Sequence, residues 1–147
     1  MDSNQVLVKA YRLINLYTST QKKARTYSGG LVLYPAQAHM IEVIGDEAGI
    51  TQSEIASAYM ITKGAVSQTV SFLEEKGLVF KRPSGKGGRA TGLYLSESGM
   101  SVFREHRELH RDMLNQVGEL AAQLPPESVS ILERISDVIE SHVRNMQ

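Results

Sequence analysis

Apolar residues near the start of the chain recur at helical intervals, at Val6, Ala10, Leu13, Ile14 and Tyr17. That spacing predicts an amphipathic helix from Val6 to about Tyr27, broken by Ser28-Gly29-Gly30. Pro35 suits the first turn of a second helix reaching about Ala48, with Gly49 as its C-terminal cap. Thr51-Gln52-Ser53-Glu54 then reads as a capping box, in which hydroxyl and carboxylate each satisfy an orphan amide. Ile55, Ala56 and Tyr59 continue a short third helix. Thr62 is a second N-cap, and a fourth helix follows from Lys63 to Lys76, with Val66, Val70 and Leu73 on its inner face and Gly77 as its stop.

The period then changes. Leu78–Arg82 and Thr91–Leu95 read as two short strands, joined by the glycine-rich, basic tip Ser84-Gly85-Lys86-Gly87-Gly88-Arg89. Helical spacing returns from about Gly99, with Phe103, Leu109, Met113, Val117 and Leu120 marking one long helix to about Gln123. Pro125-Pro126 interrupts it. Ile131, Leu132, Ile135, Val138, Ile139 and Val143 then define a last, strongly amphipathic helix. Two short helices joined by a tight turn and followed by a basic hairpin form a winged helix-turn-helix. The predicted class is mainly α with a small β-hairpin wing.

A helix that enters the DNA major groove needs small or hydrogen-bonding side chains on its outer face. Lys63, Gly64, Ser67, Gln68 and Ser71 supply that face here, opposite Val66, Val70 and Leu73. Gln68 can pair bidentately with adenine, and Lys63 can reach guanine or a phosphate. Lys81, Arg82, Lys86 and Arg89 give the hairpin its positive charge, placed to meet phosphates or the minor groove. Net charge is zero, with 16 basic and 16 acidic residues, so the bulk charge does not announce a nucleic-acid partner. Its distribution does. Residues 60–90 carry +4 and residues 91–147 carry −4, which separates a basic face from an acidic body.

Composition removes other classes. Without cysteine there is no disulfide, thiolate metal site or thiol redox sensor. No apolar run reaches the roughly 18 residues of a membrane span, and the first residues lack a signal-peptide pattern, so a cytoplasmic protein is expected. No nucleophile–base arrangement or phosphate-binding glycine loop supports an enzyme; Gly85–Gly88 lacks the spacing and following helix of a P-loop. A winged helix used only for protein contacts would show an acidic or apolar outer face, unlike Lys63–Ser71.

The chain resembles the MarR family of bacterial transcriptional regulators. The resemblance is carried by Leu33–Gln37, Thr51–Ala56, Thr62–Gln68, Leu73–Val79 and Leu95–Gly99, and extends over nearly the whole chain. It implies a repressor acting as a homodimer on a palindromic double-stranded operator. Residues 31–98 would form the DNA-binding domain, and residues 1–30 and 99–147 a helical dimerisation region. Two-fold symmetry would set the recognition helices in major grooves about 34–36 Å apart. The family's wing usually carries Asp-x-Arg, where this chain has Gly87-Gly88-Arg89.

The histidines bear on what such a regulator senses. His106 and His110 are spaced to lie on one helix face, and His39 stands early in the second helix. Imidazoles that converge make a zinc site. The arrangement resembles the zinc-responsive branch of the family, which implies His39, His106 and His110 as ligands. Gln21 falls where that branch places a glutamate, and a glutamine oxygen is the poorer zinc ligand. Tyr27 and Ala38 do not supply the branch's second site. A small phenolic or aromatic effector, or none, is the alternative to zinc.

Overall fold

A computed structural model describes residues 3–85 and 90–145. The elements in order are α1 (Ser3–Thr20), β1 (Arg25–Tyr27), a short 3-10 turn (Ser28–Gly30), β2 (Leu31–Leu33) and α2 (Pro35–Asp46). They continue with α3 (Gln52–Ala58), α4 (Lys63–Glu75), β3 (Val79–Pro83), β4 (Thr91–Leu95), α5 (Glu97–Ala121) and α6 (Pro126–Arg144). The mainly helical winged helix-turn-helix predicted from the sequence is what the chain forms. No helix among the described residues is long and apolar enough to cross a membrane.

The chain divides into two compact units, Met1–Arg107 and Glu108–Gln147. In the first, Leu33 of β2, Ile41 and Ile44 of α2, Ile55 of α3, Val66, Val70 and Leu73 of α4 and Leu93 of β4 are fully buried. The inner stripe of α4 read from the sequence is therefore the centre of this core. In the second unit the apolar positions stay exposed: Leu114, Val117 and Leu120 on α5, and Ile131, Leu132, Ile135 and Val138 on α6.

The first helix is shorter than its periodicity suggests. It ends at Thr20, and Arg25–Tyr27 is instead a strand paired antiparallel with Leu31–Leu33. The reason lies at both ends of the expected extension. Lys22-Lys23 offers no apolar side chain to continue the stripe, and Gly29 and Gly30 both adopt φ of 76°, reversing the chain tightly. Tyr27 and Leu33 are then buried, at 4% and 0% exposure.

The wing is anchored at its base. Gly49 donates from its amide to the Leu93 carbonyl, and Leu93 donates back to the Ile50 carbonyl. Gly49 has φ of 88°, and a β-carbon on Gly92 would lie 2.5 Å from the Gly49 carbonyl oxygen. Both glycines are needed for the α2–α3 connection to pack against β4 this closely. Lys86, Gly87, Gly88 and Arg89, the predicted tip residues, fall outside the described residues.

Candidate nucleic-acid interface and metal centre

Each short helix of the pair is fixed by its own cap. Glu54 donates its amide to Thr51 Oγ1 at 3.2 Å while its carboxylate accepts from the Thr51 amide at 2.7 Å, completing the capping box. At the junction Met60 takes a left-handed φ of 52°, and the Ile61 amide reaches back to the Ala56 carbonyl. Thr62 Oγ1 then accepts from the Ala65 amide at 3.1 Å and starts α4. With Val66, Val70 and Leu73 held in the core, the register of α4 puts Lys63, Gly64, Ser67, Gln68 and Ser71 on the exposed side. Gly64, Ser67, Gln68 and Ser71 line one open depression, with Phe72 and Glu75 at its C-terminal end.

Gly64 is not required by the fold. A β-carbon there would meet only Thr62 Oγ1, at 3.9 Å. The bare backbone at the start of α4 therefore faces outward, free for something to approach closely.

The two described wing cations are held by neighbours. Lys81 pairs with Glu74 at 2.6 Å, a partner on α4 that links helix and wing. The Arg82 guanidinium lies over the Phe80 ring at 4.8 Å, and Phe80 stacks on Tyr94. The sequence marked these residues for charge alone and gave no sign of these partners.

A second cluster lies in the first unit. His39 on α2, Glu42 one turn later and His106 on α5 bring one ligand atom each to within 4.8 Å of one another. His39 Nδ1 is 3.4 Å and His106 Nε2 3.8 Å from Glu42 Oε2, and the two rings meet edge to face with centroids 5.3 Å apart. Two imidazoles and a carboxylate are the donor types that zinc takes, so this set fits that metal. Glu42 was not picked out from the sequence; its i,i+3 spacing from His39 is the signal that would have found it. Gln21 is half-buried just beyond α1, its backbone amide donating to the Tyr17 carbonyl. His110 is one helical turn after His106 on α5, half-buried, and belongs to the second unit.

His106 is 5% exposed, and its Nδ1 lies 2.8 Å from the Tyr27 hydroxyl. Burial pushes the Tyr27 phenol above its ordinary range, with Glu105 and Glu42 adding to the shift and Arg25 opposing it. Next to this pair, Glu105 Oε2 accepts from the Ser28 amide at 3.0 Å and the Ser28 hydroxyl at 2.8 Å. Those hydrogen bonds, chiefly the backbone one, hold the Glu105 carboxyl below its usual range.

Comparison with known proteins agrees with this architecture. A model of the MarR family matches residues 33–90, from β2 through the helix pair to the end of the wing tip. The transcriptional regulator AdcR of Streptococcus pneumoniae is 20% identical over 114 residues, 78% of this chain and 77% of its own length. Among solved structures, the zinc-responsive MarR member ZitR of Lactococcus lactis superposes with a TM-score of 0.65 at 19% identity, covering 95% of this chain and 97% of that one. FabT of Streptococcus pneumoniae, solved in complex with DNA, gives 0.63 at 19% identity, covering 98% and 96%. The MarR family model thus lies on the helix pair and wing, and the winged helix-turn-helix fold of these structures is shared along nearly the whole length of the chain.

Proposed function

We propose that the chain is a sequence-specific transcriptional regulator, in the first instance a repressor, that binds a palindromic double-stranded operator as a homodimer and responds to zinc. The observation that carries the DNA reading is the outer face of α4. It offers hydroxyls, an amide and one cation around an uncovered glycine, on a helix whose inner face is locked in the core. Gln68 and Ser71 read base edges, Lys63 and Ser67 reach bases or phosphates, and Arg82 with the tip residues Lys86 and Arg89 follows the backbone. Residues 31–98 make the DNA-binding domain, and 1–30 with 99–147 the dimerisation region, whose exposed apolar α5 and α6 positions a second copy would cover. Acting on an operator places the protein in the cytoplasm.

His39, Glu42 and His106 would hold the zinc, with His110 the next donor by its helical spacing and Gln21 a weaker one by resemblance. The metal would supply a fixed bridge between α2 and α5. Because α2 packs against α4 and β4, such a bridge biases the setting of the recognition helix and the wing together. One observation favours the alternative of a small aromatic effector. A cleft of about 420 Å³, lined by Tyr17, Met40, Val43, Ile55, Tyr59 and Ile61, opens beside His39.

The first test is a zinc titration of the purified protein against a chromophoric chelator, with His106→Ala alongside. About one zinc per subunit taken up by the parent and none by the variant supports metal control; equal behaviour of the two removes it. Duplexes selected from a random pool then report operator binding, which should weaken steeply as salt rises because phosphate contacts release counterions. Affinity indifferent to salt would overturn the DNA reading.

A further inference from the structure

We infer that Tyr27 is a positioning residue for the metal centre, its phenol fixing the His106 ring with Nε2 toward His39 and Glu42 and accepting from Nδ1–H in the metal-binding tautomer. This rests on the zinc reading above. A neutral imidazole carries one N–H and one lone pair, and only the lone pair can bind a metal. In His106 the two nitrogens have different neighbours: Nε2 faces the cluster, 3.8 Å from Glu42 Oε2, and Nδ1 meets the Tyr27 hydroxyl at 2.8 Å. With the proton on Nδ1, the ring donates to the phenol oxygen and Nε2 is left as the ligand. With the proton on Nε2, the phenol donates to Nδ1 and the metal position is blocked by an N–H. A phenol oxygen is both donor and acceptor, so it accommodates the ligand tautomer, which a hydrocarbon ring in its place does not support.

The hairpin is built to deliver that contact. Tyr27 ends β1 and is 4% exposed, and the next residue, Ser28, gives both its amide and its hydroxyl to Glu105. Two adjacent residues of the hairpin thus hold two adjacent residues of α5. The clip fixes the orientation of a ring that contributes to the cluster from a different helix than His39 and Glu42. Metal-ligating histidines are commonly oriented through their second nitrogen, and loss of such a partner typically lowers metal affinity about 10- to 100-fold.

The test compares the parent with Tyr27→Phe, which keeps the ring and its packing. Chelator competition should show zinc affinity about 10- to 100-fold weaker in the variant. In histidine-labelled protein, NMR of the zinc-loaded parent should show His106 metallated at Nε2, with a slowly exchanging Nδ1–H; that proton signal should broaden or vanish in Tyr27→Phe. Equal zinc affinity in the two proteins overturns the inference while leaving the zinc reading intact. So does metallation of the parent through Nδ1, a measurement that needs no variant. If the parent takes up no zinc, the zinc reading falls and the inference falls with it.

Discussion

Gly64→Ala separates what the fold needs at the start of α4 from what a ligand needs there. The added methyl group meets nothing nearer than Thr62 Oγ1 at 3.9 Å, an ordinary van der Waals contact, so no strain opposes it. Alanine is favoured over glycine inside a helix by up to about 1 kcal/mol, and somewhat less in the first turn, where Gly64 is the second residue of α4. A gain of about 0.5–1 kcal/mol raises Tm by roughly 1–4 °C for a chain of this size. The same methyl protrudes from the face formed by Ser67, Gln68 and Ser71. On DNA it would hold the helix backbone away from the groove, and an affinity loss of about tenfold corresponds to about 1.4 kcal/mol. Differential scanning calorimetry reads the first effect, and fluorescence anisotropy with a selected duplex reads the second. The two should move in opposite directions: a more stable protein that binds DNA less well. A variant that binds as tightly as the parent would refute the placement of the α4 N-terminus against DNA, and a lowered Tm would refute the reading of Gly64 as structurally unnecessary.

Two further outcomes are expected. Gln68→Ala should relax base preference by about 1–3 kcal/mol at one operator position while leaving binding to random duplex nearly unchanged, measured by competition with single-base operator variants. Ser28→Ala removes one of the hydrogen bonds that keep the Glu105 carboxyl low. A folded-state pKa below the unfolded one stabilises above the unfolded value, and that stability is lost as pH falls through the folded value. The variant should therefore be less stable than the parent at pH 7, by about 0.5 kcal/mol for one exposed hydrogen bond, with the gap closing in the acid range. Urea unfolding at neutral and acid pH checks it; a gap that is constant with pH would show that Glu105 is not the partner that matters.

Much of this molecule is local in origin and so was legible in the chain itself. The Thr51–Glu54 capping box, the Thr62 cap and the Val66, Val70, Leu73 stripe depend on neighbours within a turn or two. They determine where α3 and α4 begin and which side of α4 stays exposed, and so they determine the candidate DNA-reading face. Periodicity likewise marked β3, β4, α5 and α6. What the chain order hides is set by contacts between distant segments. Helical spacing alone carries α1 too far, because the strand at Arg25–Tyr27 exists through its pairing with Leu31–Leu33 and the burial of Tyr27. Tyr27 meets His106 across a separation of 79 residues. Glu42 joins the histidines because α5 packs where its carboxylate points, and Lys81 finds Glu74 only once the wing folds beside α4. Short-range rules fix which helices form and how they turn; only the packing of those helices decides which polar side chains meet, since a pair far apart in sequence leaves no periodic trace.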